Sequence, residues 1–215
     1  MKIVGLTGSI ATGKSTVANW LSQLGIPIHD ADAVVHQLLS AGGKAVQPIM
    51  DFFGPNVGSI ETGINRKEIG DLVFAAPERR QQLEAILHPM VHCQRNKFLA
   101  DHFNAKTPIV VLDVPLLFET GTEAYCDYVI VVHARMDTVI SRALSRPGMT
   151  MEKLTGILAS QMSMDEKMRR ADLCLNTDLA PAVTKRHLEA WLEPLKNADA
   201  LSRLSHNKQT GVDDA

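Results

Sequence analysis

One short stretch limits the possible folds of this chain more than any other. Residues 8–16 have the sequence Gly-Ser-Ile-Ala-Thr-Gly-Lys-Ser-Thr, a complete match to the pattern G-x-x-x-x-G-K-[ST]. The mostly apolar residues 2–7 before it are typical of a strand buried on both faces of a parallel sheet. Apolar residues then recur at helical spacing: Val17, Trp20, Leu21 and Leu24. A strand, a glycine-rich turn and a helix in this order predict an α/β fold with a phosphate-binding loop after its first strand.

The residue types of this loop indicate how it would hold phosphate. Gly8 and Gly13 allow backbone torsions that are unfavourable for residues with a Cβ, so that successive N–H groups can turn toward one anion at the positive end of the helix. Lys14 is then placed to reach the β- and γ-phosphates of a nucleotide, and Ser15 to offer its hydroxyl to Mg²⁺. The alternative, a glycine-rich turn with an exposed lysine, is disfavoured by the flanking strand and helix.

The composition argues against several classes of partner and site. With 215 residues, 21% of them charged, and a formal net charge of −2, the chain has no electrostatic footprint for nucleic acid or an anionic membrane. No apolar run reaches the length of about 18 residues that spans a membrane, and a strand beginning at residue 2 leaves no room for a signal peptide. Cys93, Cys126 and Cys174 lie far apart, and the His88–His92 spacing lacks a third ligand, so neither a disulfide framework nor zinc is predicted. We expect a cytoplasmic protein without nucleic acid or membrane partners; its oligomeric state stays open.

The rest of the chain predicts a parallel sheet with a helical insertion. Further strands are predicted at Ile26–Ile28, Pro108–Val114, Tyr128–Val132 and Leu173–Leu175. Residues 41–107 have helical patterning and contain no convincing buried strand, which indicates an inserted helical lobe. We therefore predict one domain made of a core over residues 1–40, 108–135 and 171–196, the lobe, a lid over residues 140–165 and a polar tail over 197–215.

Aspartates follow two of these strands, and open parallel sheets bind ligands at the carboxyl ends of their strands. Asp30 and Asp32 come after the second strand. Either could cap the helix predicted over Ala33–Leu39, whereas a kinase acting on an alcohol needs a carboxylate such as Asp32 to accept the hydroxyl proton. Asp113, near the end of the third strand, would either act through water on Mg²⁺ or cap neighbouring backbone N–H groups.

Two arginines lie between the last two strands. A helix predicted over Met136–Ser145 places Arg142 and Arg146 one turn apart on one face. Pro147-Gly148 then separates it from a second helix, which runs from Met151 to about Met162. Arginines in such a helix–turn–helix either close over a nucleotide as part of a mobile lid and neutralise charge on the transferring phosphoryl group, or are simply solvated.

The stretches that carry a family resemblance are Val4–Gly8 with Gly13–Thr16, Asp30–Asp32, Asn65-Arg66 with Val73-Phe74, Leu87–Pro89, Val114–Glu119, Arg142 with Arg146, Gln161, Ala171-Asp172 and Asn176. In this order and spacing they resemble the dephospho-coenzyme A kinase family, from residue 2 to about residue 180. The resemblance implies a P-loop kinase core with a five-stranded parallel sheet, an inserted helical lobe that binds the acceptor, and a helical lid.

The resemblance also implies a reaction and its residues. In this family ATP, with Mg²⁺, phosphorylates the 3′-hydroxyl of the ribose of dephospho-coenzyme A in the last step of coenzyme A synthesis. The implied catalytic residues are Asp32 as the general base, Lys14, Arg142 and Arg146. The implied contacts to ATP are Gly8, Ala11, Thr12, Gly13, Lys14, Ser15, Thr16 and Asn176. The implied contacts to the acceptor are Asp32, Arg66, His88 and Glu119.

Two departures from the family pattern matter, and two alternatives stay open. Ser9 and Ala11 replace glycines of the family loop, although we expect nucleotide binding to survive; the turn after Asn176 lacks a glycine, which weakens the assignment of the adenine contacts. Another small-molecule or nucleotide kinase would share the loop. A GTPase-class switch would need an Asn-Lys-x-Asp motif, and the nearest match, Asn96–Leu99, lacks the aspartate.

Overall fold

The computed structural model describes residues 1–74 and 76–196, and the predicted polar tail lies outside them. Within this part of the chain the strands are β1 (Lys2–Thr7), β2 (Ile28–Asp30), β3 (Gly58–Ser59), β4 (Gly63–Ile64), β5 (Ile109–Asp113), β6 (Tyr128–His133) and β7 (Leu173–Asn176). The helices are α1 (Lys14–Gln23), α2 (Ala31–Leu39), α3 (Val46–Phe53), α4 (Arg66–Phe74), α5 (Pro77–Asn104), α6 (Met136–Leu144), α7 (Met151–Ala159), α8 (Met164–Arg169) and α9 (Pro181–Lys196).

The chain divides into two compact units. One, here called the core unit, comprises Met1–His29 and Lys106–Ala215, and the other, the helical unit, comprises Asp30–Ala105. The helical unit overlaps the predicted lobe and also includes residues 30–40, which the prediction placed in the core; the assignment of the whole chain to one domain stays a prediction. None of the described helices combines the length and the apolar character that a membrane span requires.

A five-stranded parallel sheet forms the centre of the fold, in the order β2-β5-β1-β6-β7. Leu6 of β1 lies opposite Asp113 of β5 and Ile130 of β6, and β6 pairs in parallel with β7. All of β5 and most of β6 are buried, as expected when helices cover both faces of a parallel sheet. The main apolar cluster of the core unit joins the sheet to α1 and α9 through Val4, Leu6, Val17, Leu21, Ile130, Leu188 and Leu192. The predicted α/β fold is confirmed.

The helical unit contains a small ribbon that the sequence pattern did not predict. β3 and β4 pair antiparallel, and Gly63 and Ile64 of β4 are buried. The prediction of a lobe without a buried strand was wrong in this detail, because a strand of two residues is too short to show an alternating pattern. The apolar cluster of this unit joins its helices to Ile64 of β4, through Leu38, Leu39, Val46, Ile49, Ile69 and Leu87.

Several element boundaries differ from the predicted ones for identifiable reasons. β2 begins at Ile28 rather than Ile26, since Pro27 has no N–H for the strand ladder; its carbonyl accepts from the Val111 amide at 2.9 Å. α2 begins at Ala31, because the Asp30 side chain caps it by accepting from the Ala33 amide at 2.9 Å. Of the two predicted roles for Asp30, the helix cap is the one observed.

Candidate active site

The loop between β1 and α1 depends on two of its glycines. A Cβ added to Gly8 would lie 2.6 Å from the Val132 carbonyl oxygen, a separation that only glycine avoids. Gly13 has φ of 93° and occupies the position that begins α1. The first turn of α1 contains no acidic residue, and Gly13 supplies no side-chain cap. The amide end of this helix therefore offers its N–H groups to an anion, as the sequence pattern predicts.

Ala11 keeps the backbone conformation that a glycine would adopt easily. Its φ is 61°, in the left-handed region, where a residue with a Cβ costs about 1 kcal/mol or more. The methyl group is buried against the helices that follow β6, in a cluster with Val139, Ala143 and Leu154. The replacement of a family glycine at position 11 thus leaves the loop in a left-handed turn and adds an apolar contact.

Lys14 and Asp113 form an ion pair at the base of the loop. The Lys14 ammonium donates to Oδ1 of Asp113, the last residue of β5. The two side chains are 16% and 5% exposed, so the pair is largely removed from water. Ser15 is exposed in the first turn of α1. Neither role that the sequence suggested for Asp113 included this lysine, which lies 99 residues away in the chain.

The two predicted lid arginines lie in different environments. The Arg142 guanidinium, on α6, donates from Nη1 to the Thr177 hydroxyl at 2.8 Å and from Nη2 to the Thr177 carbonyl at 2.9 Å. Arg146 lies beyond the end of α6, exposed in the turn before α7. The prediction that both share one helical face was wrong, because Pro147 disfavours helical torsions at the residue that precedes it.

The turn after β7 brings a residue to the loop that the sequence analysis did not select. Thr177 donates its hydroxyl hydrogen to the Thr12 carbonyl oxygen at 2.6 Å, and its methyl carbon lies 3.2 Å from the place that a Cβ on Gly13 would take. Asn176, the predicted ligand, accepts the Asp178 amide on its side-chain oxygen at 2.8 Å, and its contact with ATP stays a prediction. Thr177 directly follows the carboxyl end of β7. Open parallel sheets bind ligands at the carboxyl ends of their strands, and this rule was the available signal for Thr177.

Glu119 is held inside the core unit by a buried lysine. Its Oε1 accepts from the Lys167 ammonium at 2.9 Å and from the Met162 amide at 2.8 Å. Burial alone would raise the pKa of Glu119, but the hydrogen bonds from Lys167, from the Met162 amide and from its own amide, together with the Lys167 charge, more than offset it, and the pKa lies below its ordinary value. Lys167, fully buried, also donates to the Pro115 carbonyl at 3.4 Å.

The other predicted acceptor contacts lie in the helical unit. Asp32 is in the first turn of α2, and Arg66 begins α4, where its guanidinium contacts Nδ1 of His36. The His88 and His92 rings stack on α5 with centroids 6.1 Å apart. Burial, with the positive charge of Arg95 and His88, lowers the pKa of His92. Among the described residues there is no cluster of three or more His, Cys, Asp or Glu side chains that could hold a metal ion.

Comparison with known proteins decides the family. The family model described as dephospho-CoA kinase matches residues 2–181. The chain belongs to the dephospho-CoA kinase family. It is 48% identical over 168 residues to the dephospho-CoA kinase of Paramagnetospirillum magneticum, covering 78% of each chain. It is 43% identical over 197 residues to that of Rhizobium meliloti, covering 91% of this chain and 99% of the relative. The predicted resemblance is confirmed.

Solved structures agree with the fold of this kinase family. The crystal structure of TT1252 from Thermus thermophilus is 32% identical, with a TM-score of 0.76, and the match covers 90% of this chain and 97% of that one. A dephospho-CoA kinase from Campylobacter jejuni is 24% identical with a TM-score of 0.69, and this likeness supports the fold alone. Within the core unit, the loop, Lys14, Asp113, Arg142 and Thr177 form one connected group.

Proposed function

We propose that this kinase transfers the γ-phosphoryl group of ATP to the 3′-hydroxyl of the ribose of dephospho-coenzyme A, giving coenzyme A and ADP as the last step of coenzyme A synthesis. The observation that carries the proposal is the loop that begins α1, with Lys14 at its end, in a chain whose family match spans residues 2–181. The three cysteines form no disulfide among the described residues, which supports a cytoplasmic setting.

The phosphate side of the reaction belongs to the loop. The N–H groups that begin α1 and the Lys14 ammonium bind the β- and γ-phosphates. As the bond from the γ-phosphorus to the bridging oxygen breaks, negative charge grows on the departing ADP, and Lys14 is the cation that meets it. Arg146, exposed in its turn, is the residue proposed to reach the equatorial oxygens of the transferring group.

The residues near Lys14 suit Mg²⁺. Ser15 supplies a hydroxyl oxygen and Asp113 a carboxylate, the hard donors that this ion prefers, and Mg²⁺ usually takes its other ligands from water and substrate phosphates. Ser15 would hold the ion directly and Asp113 through water. When bound, the ion neutralises charge on the β- and γ-phosphates.

The acceptor side is assigned to the helical unit. Asp32 takes the proton of the 3′-hydroxyl as the oxygen–phosphorus bond forms. Removal of this proton neutralises the positive charge that develops on the attacking oxygen. Arg66 and His88 are the proposed cationic contacts for the anionic diphosphate of the acceptor. Glu119 stays a proposed acceptor contact, although its hydrogen bonds with Lys167 and Met162 give it a second, internal role.

A coupled assay of ADP release tests the acceptor. Dephospho-coenzyme A, shikimate, AMP and CMP would be compared at equal concentration with the wild-type enzyme and with Lys14→Ala. We expect turnover with dephospho-coenzyme A alone, and a 3′-phosphomonoester in the product by phosphorus NMR. Faster turnover with shikimate or a nucleotide would assign the loop to another small-molecule kinase.

A further inference from the structure

The Thr177 hydroxyl is engaged on both sides by groups that belong to the nucleotide end of the core unit. It donates to the Thr12 carbonyl oxygen at 2.6 Å and accepts from Nη1 of Arg142 at 2.8 Å. Nη2 of the same guanidinium donates to the Thr177 carbonyl at 2.9 Å. A chain of hydrogen bonds therefore runs from α6 through one side chain to the backbone of the phosphate-binding loop.

A hydroxyl serves both ends of this chain through a single oxygen atom. A carboxylate or a carbonyl oxygen could accept from Arg142 but has no proton for Thr12, and an ammonium could donate to Thr12 but would repel the guanidinium. The backbone of Thr177 is fixed separately, since its amide donates to the His133 carbonyl at 2.9 Å. The turn therefore has an anchor that does not depend on the side chain.

We infer that Thr177 is a positioning residue for ATP binding, which holds the Arg142 guanidinium on the phosphate-binding loop. The inference rests on the proposed function, because it takes the loop to be the ATP site. Arg142 then acts with the loop in binding the nucleotide, while Arg146, beyond the end of α6, acts separately. This division departs from the symmetric role that the sequence suggests for the two arginines.

Two substitutions separate the hydroxyl from the rest of the side chain. Thr177→Val removes the hydroxyl hydrogen bonds with Thr12 and Arg142, and a longer one to the His133 carbonyl at 3.4 Å, and keeps the branched shape that packs on Gly13. Thr177→Ser keeps the hydroxyl. We expect Thr177→Val to raise the KM and the Kd for ATP about tenfold or more, with kcat within about threefold of wild type, because a hydrogen bond to a charged group is lost. Thr177→Ser should restore ATP affinity to within about threefold.

Thr184→Val is the matched control. The Thr184 hydroxyl, on α9, donates to the carbonyl of Asn176, the residue before Thr177, at 2.8 Å, so the same chemical change is made beside the turn without removing a hydrogen bond to the loop or Arg142. We expect its ATP affinity to stay within about twofold of wild type. An equal loss in Thr184→Val and Thr177→Val would mean that the turn is merely destabilised, and would overturn the inference.

A double-mutant cycle with Arg142→Ala gives the decisive readout. If Thr177 acts through Arg142, Thr177→Val should weaken ATP binding by less than about threefold when Arg142 is already alanine. Additive effects would show that the two residues act independently and that the inference is wrong. Failure of the proposed function would give a different result from failure of this inference. Either the wild-type enzyme would not bind ATP, or Lys14→Ala would bind ATP as tightly as the wild type.

Discussion

At the scale of a residue, the Lys14–Asp113 pair means that replacing Lys14 affects both catalysis and stability. Lys14→Ala should lower kcat by about 10²-fold or more, because it removes a cation aimed at the departing charge. It should also lower the free energy of unfolding by about 1 kcal/mol or more, since the buried Asp113 carboxylate loses the charge-assisted hydrogen bond from Lys14. Steady-state kinetics and urea denaturation would measure the two effects separately.

The double variant Lys14→Ala/Asp113→Asn is the control for this prediction. Replacing the carboxylate by an amide removes the buried charge that faced Lys14, so stability should recover while activity does not. If activity returns together with stability, the loss in Lys14→Ala reflected folding, and the assignment of Lys14 to the phosphates is wrong.

Asp32 offers a second prediction at this scale. Asp32→Asn keeps the shape of the side chain but cannot take a proton, so as the general base it should lose about 10²- to 10⁴-fold in kcat. The affinity for ATP should change little. Asp30→Asn is the comparison, because the Asp30 side chain caps α2 and an asparagine caps nearly as well. Recovery of the Asp32→Asn rate by excess Mg²⁺ would instead identify Asp32 as part of the metal shell.

At the scale of elements, Glu119 and Lys167 attach α8 to the segment after β5. The pKa of Glu119 is lowered from 4.5, so the ionised carboxylate adds stability that is complete above that pH and is lost as pH falls through the lowered pKa. Glu119→Gln should lower stability by about 3 kcal/mol at neutral pH, because Lys167 loses its charged partner. Below pH 4.5, the stability of Glu119→Gln should also change less with pH than the stability of the wild type does.

Thermal unfolding measured across the acidic range would check both parts. Glu84→Gln makes the same chemical change in an exposed pair with Arg80, and should cost no more than about 0.5 kcal/mol. Equal losses in the two variants would contradict the view that burial gives the Glu119 pair its importance.

The turn between α6 and α7 carries the prediction for Arg146. Arg146→Ala should lower kcat more than it raises the KM for ATP, because a guanidinium can meet the spread charge of the transferring group in the transition state. Arg186→Ala, an exposed arginine on α9, should leave both parameters unchanged. A rise in the KM for ATP alone would show that Arg146 contacts ATP in the ground state. Arg146 would then act in nucleotide binding, as Arg142 does.

At the scale of the whole molecule, the sequence predicted elements better than contacts. The strands β1, β5 and β6 were predictable because buried parallel strands form continuous apolar runs between breakers, and β7, which is only partly buried, was predictable from its short apolar run before Asn176. The strands of the β3–β4 ribbon were too short to show an alternation of apolar and polar residues. The contact of Thr177 with Thr12 joins residues 165 apart, and the Lys14–Asp113 pair joins residues 99 apart. Local patterns carry no information about which such partners meet, so these parts of the candidate site required the folded chain.

Ligand binding should appear in the stability of the whole molecule. ATP with Mg²⁺ at about one hundred times its Kd should stabilise the protein by about 2.7 kcal/mol and raise Tm by about 5 to 10 °C. Differential scanning fluorimetry would measure this shift, with Lys14→Ala as the variant in which it should largely disappear. A shift of the same size in Lys14→Ala would place nucleotide binding elsewhere.

The loop geometry also sets which mutations evolution can accept there. At position 8 any side chain is excluded sterically, since a Cβ would clash with the Val132 carbonyl oxygen. Every substitution of Gly8 should therefore be depleted in a deep mutational scan. Position 11 is limited by its left-handed torsion and by the packing around the buried methyl group. Ala11→Gly relieves a left-handed cost of about 1 kcal/mol and gives up a buried methyl worth about 0.8 kcal/mol. Glycine and alanine should therefore interchange almost neutrally at this position, while β-branched residues should be counter-selected.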